Sequence, residues 1–402
     1  MMRNLNPKKY QSPKPLCASL SLSPQCNVFT ALLLLLLTTS TTVSQTLLDR
    51  LKAQIAHTPH PENVSDFSAI PHLSPMNQDT TLICWSFATS SFIESEMERL
   101  NFEPVRLSVT YPVYCVFLEK AKRFVQTHGN SRFSPGDLFT GVLEMFKQYG
   151  AIPAEVYGKK LDNRLTLNQN PLYRELDQLM KSVKAKEQWN EQEVLAQARK
   201  ILDKHLGAPP QQFQFKGATY TPQSFLQKVI RLPWDEYVLV TSFQYAPFGA
   251  FTELKVPDNW SHYRNYFNVP LDVFYQSIID AVTNGYSVAF DADISEPSYE
   301  LTKNIGIIPD FDIPPLSIDQ EAREFRFNNG STTDDHLMQI VSFKKFGGED
   351  WFLAKDSWRT AFEGKNNGYF FFHSSYIKLK ALAFLVHRDA VPAVKKMLST
   401  RE

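Results

Sequence analysis

The chain has 402 residues, with 42 Lys+Arg against 42 Asp+Glu, so its formal net charge is zero. A composition that is 43% hydrophobic and 21% charged is that of a globular protein, neither disordered nor membrane-filled. Zero net charge argues against a nucleic-acid binder, which usually carries a basic excess, and four cysteines in this length exclude a disulfide scaffold.

The amino-terminal segment differs from the rest. Arg3, Lys8, Lys9 and Lys14 are the only charges before Asp49. Val28-Phe29-Thr30-Ala31 leads into six leucines, Leu32 to Leu37, and the small polar stretch Thr38 to Ser44 follows. Basic, then apolar, then small residues is the pattern of a secretory signal peptide, here residues 1–44, with cleavage expected near Ser44 and Gln45. The apolar run is about half of the roughly 20 residues that span a bilayer, so a retained anchor is the weaker alternative and no stable membrane span is expected after cleavage. The protein is therefore expected to be exported, to a periplasm or an extracellular space. The mature chain would keep only Cys84 and Cys115.

Thr46 to Ile70 is an amphipathic lead-in and Pro71 to Thr81 a polar loop. Cys84 to Leu100 then carries Trp85, Ala88, Phe92 and Ser95 at helical spacing. Cys84 falls in the first turn, where unpaired N–H groups and the helix dipole favour a thiolate. The plainer reading is a small buried hydrophobe, which also describes Cys115 within Tyr111-Pro112-Val113-Tyr114-Cys115-Val116-Phe117. Further on, Leu172–Leu206 gives charged helices, and Phe311-Asp312-Ile313-Pro314-Pro315 is a candidate loop overhanging a cleft. Thr333-Asp334-Asp335-His336 opens an apolar strand through Phe343. Trp351 to Lys355 is a second strand ending in the polar turn Asp356-Ser357-Trp358-Arg359, and Gly368 to His373 a third, so the segment folds as an antiparallel sheet or barrel. His57 and His60 sit among prolines in a loop, and no HExxH, P-loop or GxGxxG pattern occurs, so no metal or organic cofactor is expected. Asn63, Asn259 and Asn329 head glycosylation sequons, which matter only in a eukaryotic secretory pathway.

A thiol at a helix start, a histidine opening a strand and a polar residue one strand on form a conjunction. Gln78, then Cys84-Trp85-Ser86-Phe87, then Asp335-His336, then Lys355-Asp356-Ser357-Trp358 resembles a papain-like cysteine peptidase, specifically the bleomycin hydrolase and aminopeptidase C branch. Phe133-Ser134-Pro135-Gly136, Tyr149-Gly150-Ala151-Ile152-Pro153, Tyr220-Thr221-Pro222, Val256-Pro257-Asp258-Asn259-Trp260 and Val386-His387-Arg388-Asp389-Ala390 extend the likeness over about residues 65–395. The 252 residues between Cys84 and His336 exceed the roughly 130–150 of simple papains, and the excess lies mainly in 161–272.

The resemblance implies an α+β papain-like two-lobed fold over residues 45–402. A helical lobe would carry Cys84, an antiparallel β lobe would carry His336, and a large helical insertion would occupy about 161–272. It implies Cys84 as nucleophile, His336 as its proton partner, Gln78 with the Cys84 N–H as oxyanion hole, and Asp356 orienting the imidazole under Trp358. Gly136, Asp137, Asp335 and Trp358 would line the substrate site, and the partner would be a peptide or protein substrate. The chain departs from the family pattern: Asp356 replaces an asparagine, Asp79 and Leu82 stand at loop positions that are usually glycine, and Arg359 follows the tryptophan. Asp137 replaces the second glycine of a substrate-binding pair, where it could hold a peptide's α-ammonium, unless Arg359 pairs with it or with Asp356. The short tail after Asp356 does not support a cleft filled by the chain's own C-terminus. The rival reading is a papain-fold peptide-binding protein that has lost turnover.

Overall fold

The computed structural model describes residues 47–158, 160–161, 164–165, 169–294 and 299–400; the signal-peptide expectation therefore lies outside the described residues. A ten-stranded sheet organises the molecule. In chain order its strands are β1 (Tyr237–Thr241), β2 (Ala250–Thr252), β3 (Tyr266–Asn268), β4 (Val288–Ala292), β5 (Tyr299–Glu300), β6 (Ile305–Gly306), β7 (His336–Phe346), β8 (Glu349–Lys355), β9 (Tyr369–His373) and β10 (Ala381–His387). Their order across the sheet is β2-β3-β1-β10-β4-β7-β8-β9-β6-β5. Most pairs are antiparallel, but β1 with β3 and β6 with β9 are parallel, so the sheet is mixed at both flanks. The three strands expected around His336, Trp351 and Gly368 are the consecutive neighbours β7, β8 and β9.

Alternation along the strands divides the core between two faces. Ala289, Leu337, Ala383 and Leu385 point to a helical layer, while Phe290, Met338, Phe384 and Val386 point to the other face. The helical layer comprises α1 (Cys84–Arg99), α2 (Thr110–Gln126), α3 (Phe139–Tyr149), α4 (Gln169–Ala185) and α5 (Glu191–Leu206). The opposite face is covered by α6 (Leu271–Thr283) and the last helix, α7 (Pro392–Ser399), among others. Residues from Leu51 onward form one compact unit. The helical part of the insertion ends at Leu206; beyond it come a hairpin (Phe213–Phe215 with Ala218–Tyr220) and then β1, β2 and β3, which belong to the main sheet.

The helix α1 is not amphipathic in its setting: Cys84 through Met97 are all buried. A helix enclosed on every side must satisfy its polar side chains internally. Ser86 Oγ donates to Val109 O at 2.7 Å, and Thr89 Oγ1 donates to Trp85 O at 2.8 Å. Gln339 on β7 binds both Ser91 and Ser95, the latter at 2.9 Å. Glu94 accepts from Arg106 at 3.0 Å and from the Leu107 N–H at 2.8 Å. The Gln339 bonds fix α1 against β7, the strand that opens with His336, while the others tie α1 to the segment 106–109 and to itself.

Phe384, fully buried at the centre of the sheet, tests the core. Phe384→Ala should cost about 3–5 kcal/mol of unfolding free energy in a urea titration, whereas Leu316→Ala, at a fully exposed site, should stay within about 0.5 kcal/mol.

Candidate active site

Cys84 is the first residue of α1, and its thiol lies on a cleft of about 540 Å³. Gln78, Leu82, Gly136, Asp137, Asp335, His336 and Trp358 share that cleft, so every cleft-lining residue named from the sequence is brought there. His336 opens β7 and Asp356 follows the last residue of β8; antiparallel pairing of Gln339 with Lys355 sets them side by side. His336 Nε2 meets Asp356 Oδ1 at 2.7 Å, with both side chains about 1% exposed. The same oxygen accepts the Trp358 N–H at 2.9 Å, and the Trp358 ring stands edge-on to the imidazole at 5.8 Å between centroids. With Nε2 engaged, Nδ1 is the nitrogen left for Cys84. Burial alone would depress the imidazole's pKa, but the Asp356 carboxylate and the Cys84 sulfur outweigh it and hold the pKa well above the ordinary histidine value.

Asp356 Oδ2 is buried without a hydrogen-bond partner. This is the local consequence of a carboxylate where the family has an amide: the second oxygen cannot donate. Arg359 does not compensate it. Its guanidinium pairs with Glu363 at 2.9 Å on the surface, correcting the expectation that it might neutralise Asp356 or Asp137.

Gln78 is equally fixed. It is fully buried; its Oε1 accepts from Ser357 Oγ at 2.6 Å and its Nε2 donates to Thr81 O at 2.7 Å. A primary amide has two N–H donors, and the second is the one available to an oxygen bound beside Cys84. The loop carrying Gln78 turns through Asp79, whose φ of +56° is left-handed. This explains why glycine suits the position, and why Asp, which tolerates that region better than most residues, can stand there. Leu82, 43% exposed, adds an apolar surface to the cleft together with Leu301 at 44%.

Asp137 is 2% exposed; its Oδ1 accepts the Leu138 N–H at 2.7 Å, and Oδ2 has no partner. Its pKa is pushed up to about 6, mainly by burial, against the opposing charge of Lys120. Lys120 is itself buried and donates to Ser134 O and Gly136 O, which clamps the cleft wall. At Gly136 a Cβ would lie 1.7 Å from Asp258 Oδ2, so the glycine makes room for that carboxylate. Asp258 and Asp334 line the cleft, and Asp291 lies close beneath; none was singled out from the sequence. Asp258 and Asp334 lie in stretches that carry the family resemblance or open the His336 strand, whereas Asp291 carried no signal, because β4 reaches the site only through the fold. The loop 311–315, expected to overhang the cleft, does not line it; Asp312 is tied to Arg326 at 2.7 Å. Cys115 is buried and unpaired, with its pKa pushed far up by burial. Asn259 is not a free glycosylation acceptor: its side chain bonds Leu254 O, Tyr263 O and Tyr263 N at 2.9–3.0 Å.

Residues 38–402 match the Peptidase C1-like family. The chain belongs to that family, and it is a cysteine-type peptidase of papain-like fold. Its curated relatives include Aminopeptidase C of Streptococcus thermophilus, 26% identical over 263 residues that cover 55% of this chain and 59% of the relative. Aminopeptidase C of Listeria monocytogenes is 23% identical, covering 78% of this chain and 79% of the relative. Among solved structures, pepw from lactobacillus rhamnosis hn001 superposes with a TM-score of 0.65 at 17% identity over 96% of each chain.

Replacing Asp356 by asparagine tests the pair. With His336 as the proposed proton partner of Cys84, the active form needs a protonated imidazole, so the alkaline limb of kcat/KM follows the imidazole's pKa. Asp356→Asn removes the charge that raises that pKa, and the limb should move to lower pH by about one unit or more, read from a pH–rate profile. Gln78→Ala should lower kcat about 10²–10³-fold with a much smaller change in KM.

Proposed function

We propose that the protein hydrolyses peptide bonds through a Cys84 thiolate and His336 imidazolium pair, with an aminopeptidase-like preference. The observation that carries this reading is the buried His336, bonded to Asp356 at 2.7 Å and facing Cys84 in one open cleft. In this mechanism the thiolate attacks the scissile carbonyl and the developing oxyanion takes N–H groups from Gln78 and the Cys84 backbone. His336 gives its Nδ1 proton to the leaving amine, then takes a proton from the water that attacks the acyl-enzyme. Asp356 keeps the ring oriented and stabilises its charge; Trp358 shields their hydrogen bond. The aminopeptidase direction is supported by relatives that bear that name. Lys395, Leu398 and Ser399 of α7 line a separate cavity with Leu143, Tyr237 and Phe251.

Two measurements test the reading. Iodoacetamide should label Cys84 rapidly well below the free-thiol pKa of about 8.5, with Cys115 as the unreactive internal control, and His336→Ala should abolish the rapid phase. Wild type should cleave unblocked peptides faster than acetylated ones, and Cys84→Ala should cleave neither. A second reading, peptide binding without turnover, draws on the unpartnered Asp356 Oδ2; labelling that rises only near the free-thiol pKa would favour it.

Export is part of the proposal and rests on the amino-terminal sequence pattern. Amino-terminal sequencing of the protein recovered outside the cytoplasm should begin near Gln45; a chain retained with Met1 would overturn it.

A further inference from the structure

The cleft has apolar surface that the catalytic reading does not use. Among the described residues seven large hydrophobic side chains are exposed, and two of them, Leu82 and Leu301, line this one cleft. They come from segments far apart in the chain. Exposed leucines scattered singly over a surface need no explanation, but exposed apolar side chains gathered at a concave site mark a binding surface. Ile294 and Trp358 extend that surface, whereas the lining from 132–137, 258 and 334–335 is mostly polar or charged.

Both leucines are held in place by the residues around them. Leu82 stands between Thr81 and Ile83, each fully buried. The Thr81 N–H and Oγ1 donate to Gln78 O at 3.2 and 2.7 Å, and Thr81 O accepts from Gln78 Nε2 at 2.7 Å. Ile83 O accepts the Ser86 N–H at 2.9 Å in the first turn of α1. With both neighbours buried and bonded, the side chain between them faces the cleft, two residues before Cys84. Leu301 follows β5, in the turn that joins it to β6. Glu300, buried beside it, accepts from Thr302 Oγ1 and from the Lys303 N–H, both at 2.6 Å. Asn304 Nδ2 donates to Ala361 O at 3.4 Å, which ties the turn to the segment that follows Trp358. Apolar surface presented on anchored segments needs little further ordering when it is covered.

Leucine has no charge, no hydrogen-bond donor and no nucleophile, so neither side chain takes part in bond breaking. Each offers apolar area, which an apolar side chain of a peptide covers at the expense of water. The place of Leu82, between Gln78 and Cys84 in the chain, puts that area beside the reacting carbonyl rather than at a remote part of the peptide. The glycine that the family pattern has at this position would not supply it.

We propose that Leu82 and Leu301 determine specificity, forming an apolar subsite for a large aliphatic or aromatic side chain on a residue joined by the scissile bond. This deepens the peptidase reading and rests on it for the bond concerned. The residue can lie on either side of that bond.

Competition hydrolysis separates the two sides. Four peptides differ only at the two residues flanking the bond that the protein cleaves, which mass spectrometry of the products locates, with leucine or alanine at each. Mixed in one reaction they report ratios of kcat/KM, from which the amount of folded enzyme cancels. Wild type should prefer leucine over alanine about tenfold or more at one or both positions, and Leu82→Ala and Leu301→Ala, each alone, should bring that ratio to about threefold or less. A preference on the amino side of the bond assigns the subsite to the residue that acylates Cys84; one on the carboxyl side assigns it to the leaving residue. No leucine preference in wild type, or a preference retained in either variant, would overturn the proposal. If wild type cleaves no peptide, the peptidase reading falls by itself. Calorimetry with leucine and alanine peptides then reads the same ratio as relative affinity, and the same two outcomes decide the subsite.

Discussion

A buried imidazole that must carry a proton is the constraint around which this molecule is arranged. Taking an imidazolium out of water costs several kcal/mol unless opposite charge and hydrogen bonds replace its hydration. His336 has both: Asp356 at 2.7 Å on one ring nitrogen and the Cys84 sulfur on the other side. The three groups come from three places, the end of a helix, the first residue of one strand and the residue after its neighbour. Each must be positioned by its own packing. For Cys84 this means enclosing α1 on all sides and tying its serines to Gln339. For Asp356 it means the β7–β8 register and the bond of its N–H to Gly368 O at 2.9 Å.

That constraint also explains why several departures from the family pattern are tolerated. Asp79 keeps the left-handed turn that a glycine would otherwise provide, and its N–H is held by Asn77 Oδ1 at 2.7 Å. Arg359 lies outside the cleft in a surface ion pair with Glu363, a kind of contact that contributes little to stability. Neither disturbs the imidazole. Asp356 itself is different, because its charge sets how firmly the ring holds its proton.

The acidic end of the cleft acts on the same centre with the opposite sign. Negative charge close to Cys84 opposes a thiolate, whereas the raised imidazole favours one. The carboxyls relieve the conflict by holding protons, as the upward shifts of Asp291 and Asp334 express.

Much of the site was legible in the sequence. Cys84 before an apolar helix, His336 opening a strand and Asp356-Ser357-Trp358 closing the next are local patterns, readable because helix and strand periodicities are local. The expected run of three strands and the free Cys115 were legible for the same reason. Asp258, Asp291 and Asp334 were not, since nothing local marks a carboxylate that meets others across 76 residues of chain. The extent of the insertion was legible only to Leu206; β1, β2 and β3 are short, and only pairing across the sheet makes them strands. The sequence by itself thus determined that Cys84, His336 and Asp356 stand at the ends of a helix and two strands that meet. The tertiary structure decided which charges share the cleft, that Arg359 stays outside it and that Asp137 turns inward, because side-chain electrostatics depend on distances between segments that no local pattern encodes.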